Sequence, residues 1–137
     1  MTTDDDFQRR LALLETIDHD TERNRLAMDL AETGRPEVLA PLVRLIRRKD
    51  LRDRRGTLVY ALGNLDCSGH VACLAELVAT GNFEVANGAF HILDEMRAPA
   101  SEDIDQAVEI TAQALAAPPA DGWRRELLEE LMTFYGD

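Results

Sequence analysis

Two cysteines and a histidine stand at equal spacing near the middle of the chain, in the pattern Cys67-x2-His70-x2-Cys73. Thiolate sulfur and imidazole nitrogen are preferred zinc ligands, and His91 is available as a fourth ligand. The alternative is structural, because Cys73 takes the place of the apolar Leu42 when the chain is shifted by 31 residues. A reduced cysteine often packs as a small hydrophobic residue. The pattern favours this structural interpretation, and no metal site is predicted.

A second candidate for chemistry is His91, which stands one helical turn from Asp94 and Glu95. An imidazole beside carboxylates is the arrangement used in general acid–base catalysis, but it is also common on exposed helices without any activity. The chain contains no glycine-rich phosphate loop, no His-Glu-x2-His motif and no Gly-x-Ser-x-Gly motif. We therefore predict a protein that is not an enzyme and that uses no cofactor.

The elements that must position these side chains are helices. Hydrophobic residues make up 45% of the chain and aromatic residues only 5%, which favours helices packed through aliphatic side chains over a β-sandwich. Apolar residues recur at intervals of three and four, as in the run Leu58, Ala61, Leu62 and Leu65. The spacing predicts an all-α fold with eight helices of roughly 10–15 residues.

Turn residues separate the predicted helices. Gly34 is expected to end one helix, and Pro36, whose φ angle is fixed by its ring, is expected to begin the next. Gly81 marks a later break. Ser101 or Asp103 is expected to cap the seventh helix, because short polar side chains accept hydrogen bonds from the first N–H groups of a helix.

The chain also repeats itself. A shift of 31 residues superimposes two sets of apolar positions, Leu42, Val43 and Ile46 on Cys73, Leu74 and Leu77. A shift of 32 residues relates the first pair of helices to the second in the same way. Such a repeat predicts helical hairpins that stack, because one hairpin alone cannot bury its apolar stripe. We predict a single domain over residues 1–137, a right-handed α-solenoid of four hairpins at about 7–33, 35–66, 69–97 and 101–135.

One segment carries a family resemblance. The run from Arg55 through Ala61-Leu62-Gly63-Asn64-Leu65, followed by a polar turn at 66–70, resembles the end of the second helix in HEAT repeats of the phycobilin-lyase type. The resemblance covers about residues 7–96 and, more loosely, residues 101–135. It implies stacked helical hairpins. It does not imply one function, because that family includes adaptors, lyases, DNA-repair enzymes and inhibitors.

In stacked hairpins the second helices line the concave surface, where repeat proteins usually bind their partners. At about 100° per residue, Met28, Tyr60 and His91 fall on the same outward face of three successive second helices. A ladder of this kind with a rim of carboxylates suits a basic protein, although an ordinary solvated face has the same pattern. The predicted partner-binding residues are Asn24, Met28, Glu32, Tyr60, Asn64, Asn87, His91, Asp94, Glu95 and Glu129.

The segment from Arg44 to Arg55 is strongly basic. It carries seven basic and two acidic residues, a net charge of +5 (7 − 2). Two interpretations are open. The arginines grip phosphate or an acidic surface, or they pair with carboxylates of neighbouring repeats and hold the stack together. The second interpretation is favoured, and the candidate basic patch consists of Arg44, Arg47, Arg48, Arg52 and Arg55.

Aromatic residues are concentrated in the last predicted helix, where Trp123, Phe134 and Tyr135 lie on the apolar side. We expect them to close the C-terminal end of the core, and a role in partner binding is the alternative. In either role aromatic rings supply a large apolar area.

The formal net charge of −11 narrows the choice of partner. Phosphate backbones and anionic membranes repel an acidic protein, whereas a basic protein is attracted and its association rate is raised. Binding to nucleic acid or to a membrane is therefore not expected. Residues 1–6 form no apolar signal segment and no apolar run approaches the length of a membrane span, so we expect a cytoplasmic protein with reduced thiols.

These features together predict a protein–protein interaction module. Its most specific form is an immunity-type inhibitor that binds and occludes a cognate basic toxin. A general adaptor or assembly factor is equally consistent with the acidity and the repeat surface. The third alternative is a lyase-like HEAT protein that handles a small ligand or chromophore, which requires Cys67, His70 or His91 as the reactive group. The sequence leaves the oligomeric state open.

Overall fold

The computed structural model describes residues 3–96, 101–117 and 121–135, and these residues form eight α-helices and no β-strand. The predicted all-α fold is confirmed. The helices are α1 (Thr3–Leu14), α2 (Asp20–Glu32), α3 (Leu39–Ile46), α4 (Gly56–Leu62), α5 (Val71–Thr80), α6 (Phe83–Met96), α7 (Ser101–Ala116) and α8 (Gly122–Tyr135). Short 3-10 turns at Pro36–Val38 and Lys49–Leu51 precede α3 and α4.

The chain divides into two compact units, Met1–Asp66 and Cys67–Asp137. The boundary falls between the second and the third predicted repeat. The first unit contains α1 to α4, and the second contains α5 to α8. A continuous superhelix through both units stays a prediction.

In the first unit, α1 packs against α2 and α3 packs against α4, which forms the two predicted hairpins. The second helices of these hairpins, α2 and α4, also pack against each other, so the hairpins are stacked. Burying one leucine or isoleucine side chain contributes about 1.5–3 kcal/mol to folding. The side chains that solvent does not reach include Leu14, Leu30, Leu42, Leu45, Ile46 and Leu58.

The turn after α2 depends on the backbone freedom of one glycine. The Thr33 hydroxyl donates a hydrogen bond to the Leu30 carbonyl at 2.6 Å as the helix ends. Gly34 then takes a φ of 71°, a left-handed conformation that a residue with a Cβ adopts only at a cost. Pro36 opens the 3-10 turn that follows, where its missing N–H is not needed. Both turn residues therefore act as the sequence predicted.

The second unit also consists of two hairpins, because α5 packs against α6 and α7 packs against α8. In this unit the first helices of the two hairpins, α5 and α7, pack against each other, and so do the second helices, α6 and α8. Leu74, Leu93, Leu128 and Leu131 are buried in its interior. These contacts give the second unit one apolar core shared by four helices.

The Asp103 side chain, in the first turn of α7, binds the start of a neighbouring helix. Its Oδ2 accepts a hydrogen bond from the backbone N–H of Val71 at 2.9 Å. Val71 is the first residue of α5, where N–H groups have no partner within the helix and where a negative charge is favourable. Asp103 is the third residue of α7 and not its N-cap, and its carboxylate reaches Val71 because the chain folds α7 onto the start of α5. The Ser101 side chain lies outside the described residues.

Candidate functional site

Arginines of the basic segment hold the loop between α1 and α2. Nε and Nη2 of Arg44 donate to the two carboxylate oxygens of Glu15, both at 2.8 Å, in a bidentate pair. Arg48 donates to the Glu15 carbonyl at 3.3 Å and to the Asp50 carboxylate at 2.7 Å. Because Glu15 follows α1 whereas the two arginines belong to the second hairpin, these contacts tie the first two hairpins together.

A second group of contacts surrounds Asp20, the first residue of α2. Arg54 reaches the Asp20 carboxylate at 3.2 Å from the second hairpin. Arg23, one turn further along α2, donates to Asp20 at 2.6 Å and to the Ile17 carbonyl at 2.9 Å. Only 2% of Arg23 is exposed, so its guanidinium fixes the loop before α2 from inside the first unit.

These ion pairs change the acidity of the carboxyl groups. The hydrogen bonds from Arg44 lower the pKa of Glu15 below its ordinary value of 4.5. The hydrogen bond from Arg23, helped by the charge of Arg54, lowers the pKa of Asp20 below its ordinary value of 3.8. A carboxyl whose pKa is lowered by folding stabilises the folded protein above its unfolded pKa, and this stabilisation is lost as the pH falls through the folded pKa. We expect the ion pairs of the first unit to weaken below about pH 4.5.

Glu15→Gln is expected to remove part of this acid sensitivity. The amide keeps the size of the side chain, but Arg44 loses its ionic partner at every pH. The free energy of unfolding should fall by about 0.5 kcal/mol at pH 7, because the pair lies at the surface. It should then decrease less than that of the wild type as the pH is lowered from 7 to about 3. Urea denaturation at a series of pH values measures both effects.

The matched control for Glu15→Gln is Asp53→Asn. Asp53 is exposed in the same unit and forms no ion pair with a residue that the structure describes. Its replacement should leave the pH profile of stability as in the wild type. Identical profiles for Glu15→Gln and the wild type would show that the Arg44 pair does not stabilise the fold.

The basic patch predicted from the sequence divides into two groups. Arg44 and Arg48 are engaged in the contacts above, and Arg55 is buried and donates to a backbone carbonyl at 3.0 Å. Arg47 and Arg52 are exposed and form no ion pair within the described ranges. Arg44 and Arg48 therefore hold the two hairpins together, as the second interpretation of the basic segment expects. Arg47 and Arg52 remain exposed, as a binding patch requires.

In the first unit, the predicted partner-binding residues are unequally exposed. Tyr60 on α4 is 69% exposed. Met28 on α2 is half-buried, and so is Asn24, whose Oδ1 is buried without a hydrogen-bond partner among the described residues. The exposed predicted residues also include Glu32 and Asn64. The exposed positions of α2 include Glu22, Arg25, Asp29 and Glu32, whereas Asn24 and Met28 lie closer to the core.

In the second unit, the predicted residues lie on α6 and α8. His91 Nε2 is 3.1 Å from Glu95 Oε1, with side chains 72% and 67% exposed. Water screens a pair as exposed as this one. Asn87 and Asp94 are half-buried, and Glu129 is exposed. The ladder that joins His91 to residues of the first unit stays a prediction.

Aromatic rings form a seam between α6 and α8, hereafter the aromatic seam. At the start of both helices the rings of Phe83 and Trp123 meet edge to face, with centroids 5.1 Å apart. Further along, Phe90 meets Phe134 at 5.7 Å, and Phe134 meets Tyr135 at 6.0 Å. Because the contacts follow in the same order along both helices, α6 and α8 run parallel. Partial burial raises the pKa of Tyr135.

One face of Trp123 is occupied by a cation of the same chain. The guanidinium carbon of Arg124 lies 4.6 Å from the centroid of the indole. Its Nη1 donates to the Val78 carbonyl at 2.9 Å, close to the C-terminal end of α5, where carbonyl groups carry a partial negative charge. Arg124 therefore ties α8 to α5.

Nearly all of the net charge belongs to the second unit. Residues 1–66 contain 12 basic and 13 acidic residues, a net charge of −1 (12 − 13). Residues 67–137 contain 3 basic and 13 acidic residues, a net charge of −10 (3 − 13). The exposed carboxylates of the second unit without an ion pair to a described residue include Glu76, Glu84, Asp105, Glu126, Glu129 and Glu130.

Cys67 and His70 lie in the turn before α5, and Cys73 lies in the first turn of that helix. The backbone N–H of His70 donates to the Cys67 carbonyl at 2.8 Å just before α5. Cys67 is buried and reduced, whereas His70 and Cys73 are half-buried. Across the described residues, no three side chains of His, Cys, Asp or Glu stand close enough to hold a metal ion together.

Every helix in the described part of the chain is too short or too polar to cross a lipid bilayer. Comparisons with protein-family models, with curated proteins and with solved structures found no match for this chain. The features of the molecule that bear on its function are the charge of the second unit and its aromatic seam.

Proposed function

We propose that the protein acts by binding a basic protein and that it is not an enzyme. The observation that carries the proposal is the concentration of negative charge in residues 67–137, which contain 13 acidic and only 3 basic residues. A field of one sign attracts a partner of the other sign, raises its association rate and disfavours acidic partners. The carboxylates of Glu126, Glu129 and Glu130 contribute to this field from exposed positions on α8.

The most specific form of the proposal is an immunity-type inhibitor that occludes a cognate toxin in the cytoplasm. A toxin that acts on nucleic acid needs a cationic site for phosphate, and an acidic surface can cover that site by charge complementarity. The second form of the proposal is an adaptor or assembly factor, which leaves the bound partner active. The stacked hairpins within each unit support a HEAT-like classification. The burial of Cys67 counts against the ligand-handling alternative.

The test uses a triple variant, Glu126→Gln/Glu129→Gln/Glu130→Gln. Immobilised wild type and variant are exposed to a lysate of the source organism, and each basic protein retained by the wild type is purified and recombined with it. We expect a stable complex on a sizing column. Calorimetry should give a Kd that is weakened about tenfold in the variant, because three charges at the rim of the interface are lost. The Kd should also weaken as salt is added.

The matched control removes the same number of charges from the first unit, as Asp18→Asn/Glu22→Gln/Asp53→Asn. These three carboxylates are exposed, and the control should bind as the wild type does. Loss of the partner's own activity in the complex would establish the inhibitor form, and full activity would establish the adaptor form. Binding that responds neither to salt nor to the triple variant would sink the proposal.

A further inference from the structure

Two phenyl rings are exposed in the unit that carries the negative charge. Phe83 is 60% exposed and Phe134 is 36% exposed, and both belong to the aromatic seam. Leaving a phenylalanine side chain in water instead of burying it costs about 1.5–3 kcal/mol. Aromatic residues are enriched in protein interfaces because contact with a partner removes this area from water. The seam is thus an apolar surface on an acidic unit.

Carboxylates line the same face of α8. At about 100° per residue, Glu126 and Glu130 fall on the side of the helix that carries Trp123 and Phe134. Both glutamates are exposed and form no ion pair with a described residue. On α6, the exposed Glu84 follows Phe83 directly. The apolar rings are therefore bordered by negative charge on both helices.

We infer that the aromatic seam binds a cationic amphipathic helix of the partner, an inference that rests on the proposed function. Phe83 and Phe90 stand seven residues apart on α6, or about 10.5 Å along the helix axis. Two turns of a bound helix span the same distance, so its apolar residues at i and i+7 can cover both ends of the seam. Lysine or arginine at flanking positions then meets Glu84, Glu126 and Glu130.

The charge also selects against other occupants. A second copy of this chain would bring another unit with a net charge of −10 against the same surface. An acidic segment would be repelled in the same way. Arg124 already holds a guanidinium against the ring of Trp123, so the open ring for a partner side chain is that of Phe83.

Trp123 is the single tryptophan of the chain, and its contact with Phe83 makes its fluorescence a reporter of the seam. The probe is a synthetic helix of leucine and lysine, about 18 residues long, with the leucines on one face. One control peptide has the same composition in scrambled order, and another has glutamate in place of lysine. We expect only the first peptide to change the Trp123 emission and to gain helical circular dichroism on binding.

Phe83→Ala/Phe134→Ala should weaken the Kd of the helical peptide at least tenfold, because the apolar anchors lose their contacts. Glu126→Gln/Glu130→Gln should weaken it severalfold and leave the rings intact, which keeps the test valid if the double alanine variant does not fold. The matched control is Leu13→Ala, which removes a large apolar side chain, 48% exposed, from the first unit and should not change the Kd.

Three results would overturn the inference and leave the proposed function standing. In the first, the helical peptide binds but leaves the Trp123 emission unchanged, and its Kd is the same in the variants of the aromatic seam. In the second, the scrambled peptide binds as tightly as the helical one. In the third, the helical peptide does not bind, although the natural basic partner does. If neither the peptide nor any basic protein binds, the inference and the proposed function fail together.

Discussion

Gly81→Ala is expected to lower the free energy of unfolding by about 3 kcal/mol. A Cβ at this position would lie 2.5 Å from Val85 Cγ1, 2.9 Å from Val85 Cβ and 2.7 Å from the Leu77 carbonyl oxygen. Non-bonded carbon atoms attract each other at about 3.5–4.0 Å and repel steeply at shorter distances. One added methyl group therefore meets two neighbours at once.

Neither neighbour of Gly81 can move away easily. The Leu77 carbonyl belongs to the last turn of α5 and accepts the N–H of Gly81 itself at 2.8 Å. Val85 is fully buried in the first turn of α6, and its N–H donates to Asn82 Oδ1 at 2.9 Å. Only residues 81 and 82 connect the two helices, so the turn has no slack to absorb the methyl group.

Urea denaturation followed by helical circular dichroism measures the effect at Gly81. The control is Gly69→Ala, because a Cβ at Gly69 meets no atom within 4 Å. It should change the stability by about 0.5 kcal/mol or less, as surface substitutions usually do. If both variants are equally stable, Gly81 is not packed tightly against Leu77 and Val85, and this prediction is wrong.

Arg23→Ala is expected to lower the free energy of unfolding by about 3 kcal/mol as well. The substitution removes two buried methylene groups, at about 0.8 kcal/mol each, and leaves a cavity at a side chain that is 2% exposed. It also removes the hydrogen bond to the Ile17 carbonyl, which contributes about 1 kcal/mol. Denaturation in urea gives the total.

Arg23→Met separates the packing of the side chain from its hydrogen bonds. Methionine refills most of the volume and removes Nε, which is buried without a hydrogen-bond partner among the described residues. It should therefore cost only about 1 kcal/mol, the contribution of the bond to Ile17. If Met and Ala variants are equally unstable, the guanidinium contacts and not the packing stabilise this part of the first unit.

The helices and most of the core followed from the sequence because they depend on local spacing. Apolar residues at intervals of three and four identify a buried helical face wherever the chain folds, and Leu42, Ile46 and Leu74 are buried as the repeat predicts. The roles of Gly34 and Pro36 could be predicted without knowledge of the fold, because the φ angles that each residue can adopt are a property of that residue alone. The bounds of individual helices came from the structure.

The sequence could not predict which residues the charged side chains bind. Arg44 binds Glu15 across 29 positions, and Val71 binds Asp103 across 32, so each pair depends on how hairpins stack. Many carboxylates are available to each arginine in the sequence, and only the packing of helices brings one of them within 3 Å. For the same reason the sequence indicated a basic patch without showing that Arg55 is buried.

The sequence by itself determined an all-α chain of hairpins with a strong negative charge, because composition and periodicity are sums over local positions. The tertiary structure decided where that charge lies, since the boundary after residue 66 is what separates a nearly neutral unit from one with a net charge of −10. It also decided that Phe83, far from Trp123 in the chain, lies against it and remains exposed. Contacts of that kind arise only when two helices pack, and they are not encoded in the spacing of either helix alone.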